Sequence, residues 1–332
     1  MKEKQTDAWF RRLWAYLHEN VEDFGVIFST FVLLVLMLLT FYLINPRFLG
    51  PIAIRSVSIR ASYYLVAAVG MTIVMAVGGI DISVGSIVGV CAVTLGLTLV
   101  AWQLPLWVGL LACVVVGGLL GTFNGFVISK VRVPPIVVTL GTLTLFRGIA
   151  HLMTGGTMFY SFPPAFHWFG GGNIFGTFPV PVFLALLVVI WGHIFLKWTR
   201  TGRQIAAVGG NEEAAKMAGL PVDRRRWLPY TIAGILMGVA TILMVSRIGA
   251  AQAIMGEVWE IYIITATVLG GTSVFGGKGV IWGAVLGAFI LGALEIGLVM
   301  ARVADFWQLA AVGFLFVVVV TIRTLTGEER AK

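Results

Sequence analysis

Apolar runs of about 20 residues recur along the chain, divided by short polar or glycine-rich stretches, and such runs are long enough to cross a hydrocarbon layer as helices. Ten spans are predicted, near 24–44, 61–78, 83–102, 106–128, 136–153, 180–198, 228–247, 259–272, 279–300 and 306–323. The pattern predicts an all-α polytopic membrane protein. Two glycine-rich stretches interrupt it: Gly78-Gly79-Ile80-Asp81-Ile82-Ser83-Val84-Gly85-Ser86 between the second and third spans, and Gly270 to Gly279 between the eighth and ninth. Glycine permits non-helical backbone, which at membrane depth survives only inside protein or along a cavity. Their placement in the two halves suggests an internal repeat of broken helices flanking a transport path. Tight turns at the membrane surface are the competing reading.

The first 23 residues follow a different pattern. Trp9, Phe10, Leu13, Trp14, Leu17 and Val21 share one helical face opposite Arg11, Arg12, His18 and Glu19, as in a helix lying at the inner leaflet. No small-residue cleavage pattern follows the first apolar run.

Composition agrees with the spans. With 59% hydrophobic and 11% charged residues, a soluble domain is excluded. The net charge of +8 suggests nucleic acid only until the basic residues are placed, for they lie between spans and not on one soluble face. They gather in 1–23, at Lys130 and Arg132, in 197–227, at Lys278 and at 323–332, whereas the opposite side holds Arg47, Arg55, Arg60, Arg247 and Arg302. An even number of spans and the positive-inside rule then place both termini, including the tail at 326–332, in the cytoplasm. Cys91 and Cys113 both fall in apolar runs and are expected as packing residues, not as a disulfide or metal site.

The one long polar segment, Lys197 to Trp227, reads as a docking helix or as an ordinary basic loop. Asn211 is a good N-cap, Glu212 and Glu213 stand in the first turn, and Gly219 followed by Pro221 ends the helix. Inside the apolar zone the ionisable residues are Asp81, Arg147, Glu260 and Glu295, with His151 and His193 near span ends. Such groups face a polar path, a partner or a neighbouring subunit. Asp81 is read as a carboxylate capping the third span, and Arg147 as a partner for Asp81 or Glu260. No GxxxxGK[ST], HExxH, GxSxG or paired-cysteine spacing occurs, so an enzyme with its own nucleotide or metal site is disfavoured.

Four segments, in order, are GGIDISVGS (78–86), VTLGTLTLFRG (138–148), AVGGNEEAAKMAGL (207–220) and VLGGTSVFGGKG (268–279). Together they resemble the permease subunits of bacterial monosaccharide ABC importers, the ribose, arabinose, xylose and autoinducer-2 group, over about residues 24–325. The resemblance implies a homodimeric inner-membrane permease that docks an ATPase with two nucleotide-binding cassettes and receives sugar from a periplasmic binding protein. It implies no cofactor on this chain, with ATP and Mg held by the ATPase. It makes Asn211, Glu212, Glu213, Ala214, Ala215 and Gly219 the ATPase-coupling residues.

A neutral sugar needs hydroxyl and amide groups and a few aromatic faces, so the translocation-path candidates are Ser83, Ser86, Asn124, Thr139, Thr142, Thr144 and Phe146. Each also reads as a helix-packing residue. Gly78, Gly79, Asp81, Gly85, Gly270, Gly271, Gly276 and Gly277 are assigned to the broken-helix framework. The outward segment 154–179 is too apolar for a free loop and is a candidate dock for the binding protein. The alternatives are an ABC permease for autoinducer-2, nucleosides or branched-chain amino acids and, more distantly, an ion-coupled secondary transporter.

Overall fold

The computed structural model describes residues 25–325; the interfacial helix expected over 1–23 and the tail at 326–332 lie outside them. The chain forms α1 (Gly25–Ile44), α2 (Pro51–Ala76), α3 (Val84–Gly96), α4 (Leu106–Phe126), α5 (Pro135–Thr154), the short α6 (Trp168–Gly171) and α7 (Val180–Trp198). There follow α8 (Arg200–Gly210), α9 (Glu212–Met217), α10 (Val222–Ile248), α11 (Trp259–Leu269), α12 (Ile281–Met300) and α13 (Asp305–Leu325). Single π-turns prolong α3 to Ala101 and α4 to Val131. Among the described residues eight helices are long and apolar enough to cross a membrane; α11 and Phe306–Thr321 of α13 are shorter apolar helices. The ten expected spans map onto these, and a two-residue hairpin at Asn173–Ile174 and Phe178–Pro179 is the sheet described.

Two boundaries differ from expectation. α2 starts at Pro51, ten residues before the apolar run, because proline suits the first helical position and hydropathy underrates a helix that carries Arg55 and Arg60. Both arginines therefore stand on a helix and not in a loop. Arg55 donates to Gly171 O at 2.9 Å, and Arg60 pairs with Glu295 of α12 at 3.0 Å. Likewise α10 starts at Val222, so the basic Arg224-Arg225-Arg226 run forms its first turns.

α2 is the central helix, buried almost throughout and packed against α7, α10, α11 and α12. Close approach of backbones holds the bundle together. On α4, Gly117, Gly121 and Gly125 repeat every four residues and face Gly234, Tyr230 and Trp227 of α10. A Cβ at Gly121 would stand 3.0 Å from the Cα of Gly234, so larger residues would force these helices apart. This is small-residue packing, favoured in lipid because dispersion and not the hydrophobic effect holds apolar helices together. α12 repeats the device, with Gly283 against Gly270 and Gly287 against Ala266. α1 by contrast is mostly exposed, and Thr30 donates from it to Leu269 O at 2.9 Å.

Candidate functional site

The polar segment folds into two helices. Thr199 caps α8, its hydroxyl accepting from Gly202 N at 3.0 Å, and α8 buries Ile205 and Val208. Asn211 then caps α9: its Oδ1 accepts from Ala214 N at 2.9 Å, with Glu212 and Glu213 in the first turn. The helix closes with Leu220 N donating to Ala215 O and Gly219 N to Lys216 O, both at 3.0 Å, while Gly219 takes a left-handed φ of 75°. Those paired bonds are the Schellman closure that glycine permits. Of the six coupling candidates only Ala215 is buried, so α9 projects as a knob with Asn211, Glu212, Glu213, Ala214 and Gly219 exposed. Met217 is 83% exposed at its tip, an apolar side chain that the polar character of the segment hides. Arg226 of α10 ties the knob down through Glu212 at 2.9 Å, while Arg225 bonds Gln204 of α8 at 2.8 Å and Lys130 at the end of α4 pairs with Asp223 of α10 at 2.9 Å.

Immediately before this knob, Gly209 abuts both glycine-rich stretches. The N–H of Gly277 donates to Ala76 O at 3.0 Å, and a Cβ on Gly276 would sit 2.8 Å from Gly78 Cα and 2.7 Å from Gly209 O. Gly78, Gly271, Gly276 and Gly277 all have positive φ, between 79° and 93°, which glycine alone adopts without strain. The stretches are the connections α2 to α3 and α11 to α12, and they meet each other and the end of α8 at one junction.

Behind the junction lies a buried polar cluster. Asp81 is fully buried, and its Oδ1 accepts from Ser83 N at 2.9 Å and Ser83 Oγ at 2.6 Å. Asn124 of α4 donates to Ser83 Oγ at 2.8 Å, Ser86 Oγ donates to Ser83 O at 2.7 Å, and Thr139 Oγ1 reaches Ile80 O at 3.3 Å. Gly79 makes room for the Tyr230 hydroxyl. Four path candidates, Ser83, Ser86, Asn124 and Thr139, are thus brought together with Asp81, and all are buried. Thr142 is buried and donates to Thr139 O at 3.4 Å, Phe146 is buried edge-on against Phe123 at 6.3 Å, and Thr144 is exposed on α5.

Arg147 pairs with neither carboxylate expected for it among the described ion pairs. Its Nη1 donates to the main-chain carbonyls of Ala253 and, at 2.9 Å, Met255. Those carbonyls belong to residues 249–258, which hydropathy leaves as an outward loop. The structure instead runs them into the bundle. Ala251 pairs with Phe159, whose ring lies against Gly96; Ala253 O lies over Gly89, and Gly256 O over Gly85. The contacts descend eleven positions of α3, about 16 Å at helical rise. Gly85 and Gly89 leave the surface on which this non-helical segment lies, and Gly96 leaves room for the ring of Phe159. The short eighth span was the sequence signal: 14 residues cannot cross as a helix, so its outer half had to cross in another form.

A second arrangement missed in the sequence joins α2, α11 and α12. Tyr63 stacks on Trp259 at 5.5 Å, Tyr64 on Tyr262 at 5.4 Å, and Tyr64 OH donates to Glu295 at 2.9 Å. With Arg60 it neutralises Glu295, so that carboxylate serves architecture. Cys91 and Cys113 are both buried and free, as expected; Cys113 donates to Gly238 O at 3.3 Å.

Residues 53–320 match the family described as branched-chain amino acid transport system / permease component. The chain is 32% identical over 305 residues to a ribose import permease protein of Haemophilus influenzae, covering 91% of this chain and 94% of that one. It is 35% identical over 314 residues to an autoinducer 2 import system permease protein of Photorhabdus laumondii, covering 92% and 93%. A D-allose transport system permease protein of Escherichia coli is 31% identical over 302 residues, covering 91% and 92%. No solved structure matches. A bundle of apolar helices carrying a capped, exposed two-turn knob, matched over nearly its whole length by transport permeases, places this chain in the branched-chain amino acid transport system / permease component family.

Proposed function

We propose that this chain is the membrane-spanning subunit of an ATP-driven importer and translocates a monosaccharide or a related small polyhydroxylated solute. The observation that carries the reading is α9, capped at both ends, almost wholly exposed, and rooted on α8 and α10. A two-turn knob of this kind fits a cleft on a soluble partner, and a secondary transporter has no need of it. The partner is an ATPase with two nucleotide-binding cassettes, which binds ATP and Mg; this chain supplies Glu213, Met217 and their neighbours as the contact. Movement of α9 reaches the bundle through Gly209 on one side and through Arg226 and Tyr230, one turn apart on α10, on the other. A rigid helix that passes a push from its exposed end to a packed junction is the ordinary means by which domain movement becomes rocking of a bundle.

The solute class rests on the relatives, whose names specify ribose, autoinducer 2 and D-allose. Autoinducer 2 is kept as the second reading because relatives so named reach 35–36% identity. Two copies of the chain form the pore, a periplasmic binding protein delivers the solute, and the complex sits in the inner membrane with both termini in the cytoplasm. The test is co-purification: a tagged chain expressed with its candidate ATPase and binding protein should retain both and show solute-dependent ATP hydrolysis in proteoliposomes. Uptake driven by an ion gradient without any ATPase would overturn it.

A further inference from the structure

We infer that residues 252–260, with Arg147 of α5, line the aqueous path, and that Arg147, Glu257 and Glu260 present hydrogen-bonding groups to the hydroxyls of the passing solute. This rests on the transport reading and adds the place where the solute is felt.

Depth comes first. Arg147 stands 12 residues after the start of α5 and 7 before its end, about 18 and 10 Å along the helix, near the middle of the span. Glu257 stands between Gly256 and Val258, with Glu260 three residues on, and Gly256 lies against Gly85 and Val88 of α3. Ionisable groups at such depth do not face lipid, where burying a charge is costly. Exposure is the second point: Glu257 and Ile254 (45%) are exposed, and Arg147, Gln252 and Glu260 are only partly covered. The opposite edge of the segment, Ala251, Ala253, Met255 and Gly256, is buried on α3.

Third, the segment is irregular backbone. It runs in successive turns, with Met255 N donating to Gln252 O, Glu257 N to Ile254 O, and left-handed φ at Gly256 and Val258. Backbone of this kind persists in a membrane only where protein or water satisfies it. Arg147 satisfies two carbonyls on one side, which leaves the other side to water. Fourth, two side-chain oxygens there, Gln252 Oε1 and Glu260 Oε2, are buried without a partner. An Arg donor beside carboxylate and amide acceptors is the set that recognises a neutral polyol without demanding a net charge.

The test uses Glu257→Cys and, should that variant fail to assemble, Ile254→Cys, in the complete transporter in membranes, where the native cysteines are buried. A charged, membrane-impermeant thiol reagent applied from both sides, with and without ATP, should label either position, and solute with binding protein should slow labelling. Labelling only by a lipid-soluble maleimide overturns the inference. So does resistance to both reagents with ready oxidative cross-linking between two copies, which would make this face a subunit contact. In transport, Glu257→Gln should raise KM for the solute at least about fivefold with kcat little changed, and an unchanged KM overturns the solute contact. Labelling needs no knowledge of the solute, so its failure is distinct from failure of the ATPase partnership.

Discussion

The amide of Gly277 donates to the carbonyl of Ala76 at 3.0 Å, stitching the α11–α12 connection to the last turn of α2. Ala76 O is also the nearest neighbour of Gly209 at the end of α8, so one carbonyl marks the place where two glycine-rich connections and the root of the α9 knob converge. Any side chain there has backbone, not flexible side-chain ends, to push against.

Gly209→Ala should therefore cost about 1–3 kcal/mol through overpacking and lower the yield of assembled complex, with residual complex showing weakened coupling of ATP hydrolysis to uptake. Gly219→Ala, where the φ is strained but space is open, should leave assembly intact and disturb only α9. Thermal stability in detergent with paired uptake and ATPase assays reads the difference; equal behaviour of the two variants would refute the junction.

On the knob itself, Glu213→Arg or deletion of Ala214-Ala215 should abolish ATPase stimulation and uptake while the chain still inserts. Met217→Glu should weaken ATPase binding about tenfold or more, as loss of an exposed apolar anchor does. Wild-type pull-down and uptake in these variants would remove α9 from the interface.

Asp81 holds the α2–α3 connection through two bonds to Ser83 and neither carries protons nor touches solute in this reading. An amide keeps an acceptor, so Asp81→Asn should retain partial ATP-dependent uptake, whereas Asp81→Ala should lower yield through loss of about 1–3 kcal/mol of satisfied hydrogen bonding. Normal assembly and ATP hydrolysis with abolished uptake in Asp81→Asn would assign the carboxylate a direct part in the cycle.

Orientation is tested by fusing a reporter active only in the cytoplasm. Activity after Gly210 and after Lys332, and none after Gly170, is the expected pattern. The reverse at any one site breaks the ten-span topology.

How much of this was legible in the chain follows from what local pattern can carry. Apolar run length depends only on the residues within the run, so the helical class, the eight long apolar helices and the cap of α9 by Asn211 were all readable. Capping and glycine closure act within one turn, which is why α9 could be placed to within two residues. The start of α2 was misplaced because Arg55 and Arg60 look like loop residues until Gly171 and Glu295, more than a hundred positions away, supply their partners. Arg147 was assigned a carboxylate on charge alone; its true partners are main-chain carbonyls, which sequence marks with no residue type.

The tertiary structure alone decided what the glycines are for. In sequence, Gly78, Gly209 and Gly276 belong to three separate motifs, Gly85 reads as part of the broken-helix framework, and Gly89 and Gly96 read as a helix interior. Folded, the first three share one junction, Gly85 and Gly89 clear a bed for residues 249–258, and Gly96 admits the ring of Phe159. Hydropathy measures the cost of a residue in lipid, and glycine has almost none either way; its role is the approach of another backbone, which exists only once both segments are in place.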